Sequence, residues 1–159
     1  MARAGEAIRR KGKAARPSAR SGACPFHLAF LVRDLESTRR FYVGLLGCRE
    51  GRSTDAWVDL EFYGHQLSAH VSAERPQLVA CGHVDSVAVP IPHFGAIVGW
   101  EEFERLAARL GEAGVRFVLE PQVRYRGKPA EQATLFVLDP SGNAIELKSF
   151  RDPRAVFAP

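Results

Sequence analysis

Two histidines and one glutamate are the residues of this chain whose types and spacing suit a metal ion. His27 lies in the apolar segment 25–32, and His93 takes the same place in the similar segment 91–98. An internal repeat of this kind predicts that the two imidazoles meet across a pseudo-twofold axis. Glu146 alternates with its apolar neighbours in the last strand and therefore lies on their opposite face. Two imidazoles and a carboxylate suit Fe(II), Mn(II), Zn(II) or Ni(II) with open coordination positions.

Further polar residues follow Gly64. Glu146 comes four residues after the glycine of its turn, and the same offset from Gly64 reaches Ser68. Gln66 and His70 share the strand face of Ser68. We expect one of these three to give a fourth ligand or a hydrogen bond to a ligand. Gln66 and His70 are also candidates to move a proton or orient a substrate, and the alternative for His70 is a buried polar side chain without a chemical role.

Each member of the metal set has a simpler interpretation. A single histidine at the start of a strand is more often a hydrogen-bonded residue than a ligand, and a glutamate in an antiparallel strand usually faces solvent. The joint placement of His27, His93 and Glu146 at related points of a repeat favours metal ligation. A basic segment also has two interpretations, a solvated loop or a holder of an anionic substrate; it contains Arg124, Arg126 and Lys128.

The elements that must position these residues form two similar units. In the first, strand 26–32 precedes a helix that is capped by Asp34 and runs to about residue 46. In the second, the helix is marked by apolar residues at i, i+3, i+4 and i+7, namely Phe103, Leu106, Ala107 and Leu110. The remaining predicted strands are 57–62, 66–72, 117–119, 134–138 and 143–148, with a turn at 139–142. Residues 73–90 show no clean period and are interpreted as a linker, and residues 121–132 as a surface loop.

Neither unit is large enough to bury a core alone, so the two must pack together. The sequence therefore predicts one α+β domain, 23–152, made of two paired βαβββ modules. Module one is 25–72, module two is 91–150, and the linker is 73–90. Residues 153–159 are expected to form a C-terminal tail.

Charge and composition exclude several function classes. The net charge of +4 arises from the N-terminus, because residues 1–20 hold seven basic side chains and one acidic side chain. The rest of the chain is mildly acidic, which argues against a nucleic-acid partner. Residues 1–22 are predicted to be a disordered basic tail. No apolar run reaches membrane-spanning length. The three cysteines are far apart, which favours a reducing, cytoplasmic location.

Three segments resemble the vicinal oxygen chelate superfamily, which includes glyoxalase I, extradiol dioxygenases, fosfomycin-resistance enzymes and bleomycin-binding proteins. They are 27–34 (HLAFLVRD), 41–47 (FYVGLLG) and 136–147 (FVLDPSGNAIEL). The resemblance covers about residues 25–150. It implies that the two modules form a cupped, barrel-like mixed sheet around a divalent metal, that His27, His93 and Glu146 are the ligands, and that the protein is a homodimer.

The resemblance implies a metal-dependent enzyme for a small substrate that chelates the ion through neighbouring oxygens, either a dioxygenase or a glyoxalase-like lyase. Glyoxalase-like members usually have a further glutamate where this chain offers Gln66, Ser68 or His70. Extradiol dioxygenases usually have a tyrosine in the strand before the metal glutamate, and Tyr125 in the preceding loop is the candidate to replace it. The alternative is a metal-free binding protein of the bleomycin-sequestering type.

Overall fold

A computed structural model describes residues 24–158 of the chain, which form two units. The first unit extends to Glu74 and the second starts at Arg75. The predicted N-terminal tail, 1–22, lies outside the described residues. None of the helices within 24–158 is both long and apolar enough to span a membrane.

Unit 1 has the order βαβββ. Its sheet has the strand order β1-β4-β3-β2, with β1 parallel to β4 and the other neighbours antiparallel. The elements are β1 (His27–Val32), α1 (Leu35–Arg39), a π-helical segment (Arg40–Leu45), β2 (Arg49–Ser53), β3 (Trp57–Phe62) and β4 (His65–Val71). Alternation along the strands turns Phe30, Leu60 and Leu67 into the core. The helical segment closes that core with Phe41 and Tyr42.

The helix of unit 1 begins where the sequence predicts. The Asp34 carboxylate accepts a hydrogen bond from the Ser37 backbone N–H at 2.7 Å, which satisfies one of the unpaired donors of the first turn. The second half of the predicted helix winds as a π-helix, which the periodicity did not predict. Gly47, with φ of 76°, follows the end of this segment.

The Asp34 cap makes the stability of unit 1 depend on pH. Hydrogen bonds from Ser37, together with Arg33, lower the pKa of Asp34 from 3.8 to about 2. Because the folded-state pKa is the lower one, the stabilisation is present above about pH 4 and is lost as the pH falls through about 2. We expect Asp34→Asn, which still caps a helix, to flatten the fall of Tm over that range in thermal unfolding. Asp55→Asn, at an exposed position, should leave the fall unchanged; equal slopes in both variants would contradict the assignment.

Unit 2 repeats the βαβββ order after an additional hairpin. The hairpin is β5 (Val79–Val84) and β6 (Val87–Ile91), and it is followed by β7 (Phe94–Ile97), α2 (Trp100–Glu112), β8 (Phe117–Arg124), β9 (Gln132–Leu138), β10 (Ala144–Phe150) and a 3-10 helix (Pro153–Phe157). The sheet order is β7-β10-β9-β8, with β7 parallel to β10. Phe103, Leu106 and Leu110 of α2 are buried, as predicted, whereas Ala107 is only half-buried.

Three segments differ from the sequence-based expectations. The expected linker contains the β5–β6 hairpin, in which Val84 and Val89 pack against Leu119 and Phe136. The expected loop 121–132 begins later, because β8 continues past Pro121 to Arg124. A proline is tolerated there since β8 is an edge strand with irregular register. Strand β2 was missed because its sequence, REGRS, has no apolar alternation.

The α+β class with two βαβββ units is confirmed. The two units also agree in detail, because in each the first strand runs parallel to the last one. That arrangement places the N-terminal end of the first strand and the last strand of the same unit side by side. In unit 1 this places His27 next to Gln66, and in unit 2 it places His93 next to Glu146.

Candidate metal centre

The close approach of β7 to β10 brings His93 beside Glu146. Gly95 lies opposite Glu146 in the parallel register, and His93 directly precedes β7. A Cβ on Gly95 would lie 1.6 Å from the backbone oxygen of Glu146. Only a residue without a side chain therefore permits this approach.

The His93 ring has a fixed orientation. Its Nδ1 lies 2.7 Å from the backbone oxygen of Pro90, and since a carbonyl only accepts, Nδ1 carries the hydrogen. The ring also packs edge-on against the buried Phe136, with centroids 4.9 Å apart. With Nδ1 protonated, Nε2 is the ring nitrogen that carries a lone pair. A backbone carbonyl that fixes a tautomer in this way is typical of metal-binding histidines.

The Glu146 carboxylate is buried, with 8% of the residue exposed. Its Oε1 accepts a hydrogen bond from the Thr134 hydroxyl at 2.8 Å and lies 3.3 Å from the Lys148 ammonium. Its Oε2 lies 3.4 Å from Nε2 of His93. One carboxylate oxygen is thus held by the Thr134 hydroxyl, and the other is presented to the histidine.

Nε2 of His93 and Oε2 of Glu146 fit a divalent ion. In the neutral histidine both atoms are acceptors with lone pairs, so a cation between them would be bound by both. Two donor atoms that each lie about 2.1 Å from an ion at a tetrahedral angle are about 3.4 Å apart. Nitrogen and oxygen ligands of this kind suit Zn, Fe, Mn and Ni.

A pocket of about 210 Å³ opens beside this pair. It is lined by His93 and Glu146, by Lys148, and by the strand that includes Phe94, Gly95, Ala96 and Ile97. Space is therefore available for a small molecule next to the two candidate ligands, within unit 2 alone.

Unit 1 carries a related arrangement around His27. Its Nδ1 lies 2.9 Å from the Gln66 amide oxygen, which leaves Nε2 with its lone pair, as in His93. His27 lies two residues before Ala29, which pairs with Ser68, just as His93 lies two residues before the partner of Glu146. The structure thus places Ser68 at the position of unit 1 that corresponds to Glu146, and Gln66 acts as the partner of the histidine.

Ser68 is joined to a carboxylate on the neighbouring strand. Its hydroxyl donates to Asp59, which lies directly opposite in β3, and Arg52 of β2 donates to the other oxygen of Asp59 at 2.9 and 3.1 Å. Ser68 and Asp59 are both buried. The negative charge in this part of unit 1 is therefore paired with an arginine.

His70 and Tyr125 are not among the residues that line the pocket of His93 and Glu146. His70 lies in β4 of unit 1 with its ring 6.3 Å from that of Trp57. Tyr125 is exposed, and its hydroxyl lies 3.2 Å from the Arg124 guanidinium. Arg124 also donates to Asp85 at the tip of the β5–β6 hairpin, so its charge is already paired.

The structure thus brings together two of the three predicted ligands. Within residues 24–158, no group of three or more His, Cys, Asp and Glu side chains is arranged to hold a metal ion. His93 and Glu146 lie side by side in unit 2, whereas His27 lies in unit 1 beside Gln66.

Sequence reasoning missed two neighbours of Glu146. Lys148 was detectable, because residues two apart in a strand share a face. Thr134 was not, because its contact depends on the antiparallel register of β9 and β10. Thr134 donates a hydrogen bond to Oε1 of Glu146, and the Lys148 ammonium lies 3.3 Å from the same oxygen.

Thr134→Val tests the role of the Thr134 hydroxyl. The change keeps the shape of the side chain and removes its hydrogen bond to Glu146, which frees the carboxylate to rotate. Loss of such a supporting contact typically weakens metal binding about 10-fold or more, so we expect that loss in a Zn²⁺ titration with a competing chelator. Thr134→Ser should restore most of the affinity. Equal affinity in the valine variant and the unsubstituted protein would show that the hydroxyl has no part in holding a ligand.

The family model described as "Glyoxalase/Bleomycin resistance protein/Dioxygenase superfamily" matches residues 25–147. No curated protein sequence matches the chain significantly. Among solved structures, a glyoxalase/bleomycin resistance protein/dioxygenase from Alicyclobacillus acidocaldarius is 31% identical, with a TM-score of 0.68 over 84% of this chain and 96% of that one.

Two other solved structures show the same fold at lower identity. A glyoxalase/dioxygenase from Nostoc punctiforme is 18% identical, with a TM-score of 0.62 over 85% of this chain and all of that one (100%). A lactoylglutathione lyase from Agrobacterium tumefaciens is 12% identical, with a TM-score of 0.55 over 82% of this chain and 96% of that one. With the family model matching most of its length, the chain belongs to the Glyoxalase/Bleomycin resistance protein/Dioxygenase superfamily.

Proposed function

We propose that this protein is a divalent-metal-dependent enzyme with His27, His93 and Glu146 as the protein ligands. Its substrate is a small molecule that chelates the ion through neighbouring oxygens. The observation that carries the proposal is the approach of Nε2 of His93 to Oε2 of Glu146 at 3.4 Å, with the opposite ring nitrogen tied to Pro90.

The ion would supply Lewis-acid polarisation of substrate oxygens, with coordination positions left open for the substrate. The protein's own residues perform the remaining tasks. Pro90 and Phe136 fix the His93 ring, and Thr134 holds one oxygen of Glu146 so that the other is presented. The apolar side chain of Ile97 lines the pocket.

Dioxygenase chemistry is the better supported of the two reaction classes. The position in unit 1 that corresponds to Glu146 holds Ser68, whose hydroxyl is engaged with Asp59. The proposed ligand set is therefore two histidines and one carboxylate, the set found in non-haem Fe(II) oxygenases. A glyoxalase-like lyase would be favoured by a second carboxylate at that position.

The proposal assigns a role to one of the three predicted catalytic residues, Gln66, and leaves His70 and Tyr125 as predictions. Gln66 is a positioning residue, since its amide oxygen orients His27. His70 as a proton-transfer group and Tyr125 as the substitute for the dioxygenase tyrosine stay predictions, and so does the homodimer.

An anaerobic reconstitution series tests the proposed function. The purified protein is treated with chelator and loaded separately with Fe(II), Mn(II), Ni(II) or Zn(II). Each form is then assayed with a panel of catechols under O2 and with the hemithioacetal of methylglyoxal. We expect Fe(II)- or Mn(II)-dependent O2 consumption. Turnover of the hemithioacetal instead would move the protein to the lyase class, and an absence of metal uptake together with retained ligand binding would favour the sequestering protein.

A further inference from the structure

Lys148 is a charged residue of the pocket to which the proposed ligand set assigns no task. It follows Glu146 by two residues in β10 and points to the same face of the sheet. Its side chain is 37% exposed, and its ammonium lies 3.3 Å from Oε1 of Glu146. It lines the pocket together with His93 and Glu146.

The Glu146 oxygen near Lys148 already has a donor. Thr134 donates to Oε1 at 2.8 Å, so that oxygen does not depend on the ammonium for its hydrogen bonding. An ammonium has three N–H donors. With one directed at Glu146, the others remain for a molecule in the pocket.

The charge of the pocket also favours an anion. Among the residues that line it, Lys148 is the cationic one and Glu146 the anionic one. These two charges offset each other, so a divalent ion at the pair would leave the pocket with a net positive charge. In a partly buried site that excess is best compensated by a negatively charged ligand.

We propose that Lys148 is a substrate-binding residue and that the substrate carries an anionic oxygen, such as a carboxylate, beside the oxygens that chelate the ion. This inference rests on the proposed metal-dependent function. It narrows the substrate from any vicinal oxygen chelator to a small organic anion. Under this proposal Lys148 binds the substrate directly and does not serve only to balance the charge of Glu146.

Calorimetric titration with oxalate, a small anion with neighbouring oxygens, tests this inference. Zn²⁺ affinity is measured first, and oxalate affinity is then measured with and without Zn²⁺, for the unsubstituted protein, Lys148→Met and Lys148→Arg. Arg116→Met, at an exposed position outside the pocket, controls for the loss of one positive charge. Because a hydrogen bond to a charged group is worth a factor of about 10 to 100, we expect oxalate to bind Lys148→Met at least about 10-fold more weakly. Zn²⁺ binding should not weaken in any variant, because Thr134 still holds Glu146, and Lys148→Arg and Arg116→Met should bind oxalate within a few-fold of the unsubstituted protein.

Each other result has a defined meaning. Equal oxalate affinity in Lys148→Met and the unsubstituted protein overturns the inference while the metal site stands. Loss of both Zn²⁺ and oxalate in Lys148→Met also overturns it, because Lys148 then serves to hold Glu146. If the unsubstituted protein binds no Zn²⁺, the proposed function fails; oxalate binding that still depends on Lys148 then supports the anion site, and no oxalate binding overturns it.

Discussion

His93→Ala is expected to abolish stoichiometric binding of a divalent ion with the fold retained. The substitution removes Nε2, which lies 3.4 Å from the presented oxygen of Glu146. Loss of a residue that only supports a ligand costs about 10- to 100-fold in metal affinity, so loss of the ligand itself should exceed about 100-fold. The measurement is metal content and chelator competition after reconstitution, with circular dichroism as the check of folding. Catalytic turnover should fall to background in the same variant.

Two variants make this result specific. Glu146→Gln keeps the size of the side chain and its hydrogen bond with Thr134, yet it removes the charge, so it should lose the metal as well. His83→Ala removes an exposed imidazole from β5, outside the pocket, and should bind metal normally. If His93→Ala and His83→Ala bind the same amount of metal with the same affinity, His93 is not a ligand.

Gly95→Ala is expected to have the largest effect on stability. The added Cβ would lie 1.6 Å from the Glu146 backbone oxygen, which belongs to a central strand of the sheet and cannot rotate away. The two strands must then separate, at a cost of about 3 kcal/mol of unfolding free energy. Because His93 directly precedes β7, separation of β7 from β10 moves His93 away from Glu146. Metal affinity should therefore fall together with stability. Urea denaturation measures the unfolding free energy, and metal titration measures the affinity for the ion.

Gly111→Ala is the matched control for Gly95→Ala. Gly111 lies within α2, and nothing would be within 4 Å of the added Cβ. An alanine in a helix is favoured over glycine by about 0.5–1 kcal/mol, so this variant should be slightly more stable and should bind metal unchanged. A Gly95→Ala variant as stable as the unsubstituted protein would show that β7 and β10 are not in the close contact described.

Hydrophobic periodicity predicted the helices and strands correctly where one face of an element is apolar. Strand β3 starts and ends at the predicted residues, and α2 buries Phe103, Leu106 and Leu110. Those segments are determined by their own pattern of burial. The repeat added a second level of information, because it related His27 to His93 before any contact was known.

Periodicity failed where neighbouring strands, and not apolar alternation, stabilise an element. Strand β2 is polar and exists because it pairs with β3. The β5–β6 hairpin is largely exposed except for Val84 and Val89, and too few apolar positions were available to show a period. Strand β8 continues through Pro121 because an edge strand does not need that N–H.

The candidate site also combines features that one strand's own pattern predicts with features that depend on neighbouring elements. Strand alternation placed Glu146 on the opposite face from Ile145 and Leu147, which is a local property of one strand. The contacts that orient the site are not local. Thr134 reaches Glu146 from the neighbouring strand, and Pro90 reaches His93 from the preceding hairpin. Such contacts depend on register and turn geometry, which a single sequence specifies weakly.

Anomalous diffraction from crystals of the protein loaded with Zn²⁺, recorded on both sides of the zinc absorption edge, tests the central claim most directly. The proposal predicts one strong anomalous peak per chain, about 2.0–2.2 Å from Nε2 of His93, from Oε2 of Glu146 and from Nε2 of a His27 side chain. A zinc peak bound elsewhere, with His93 and Glu146 joined only to each other, would contradict it.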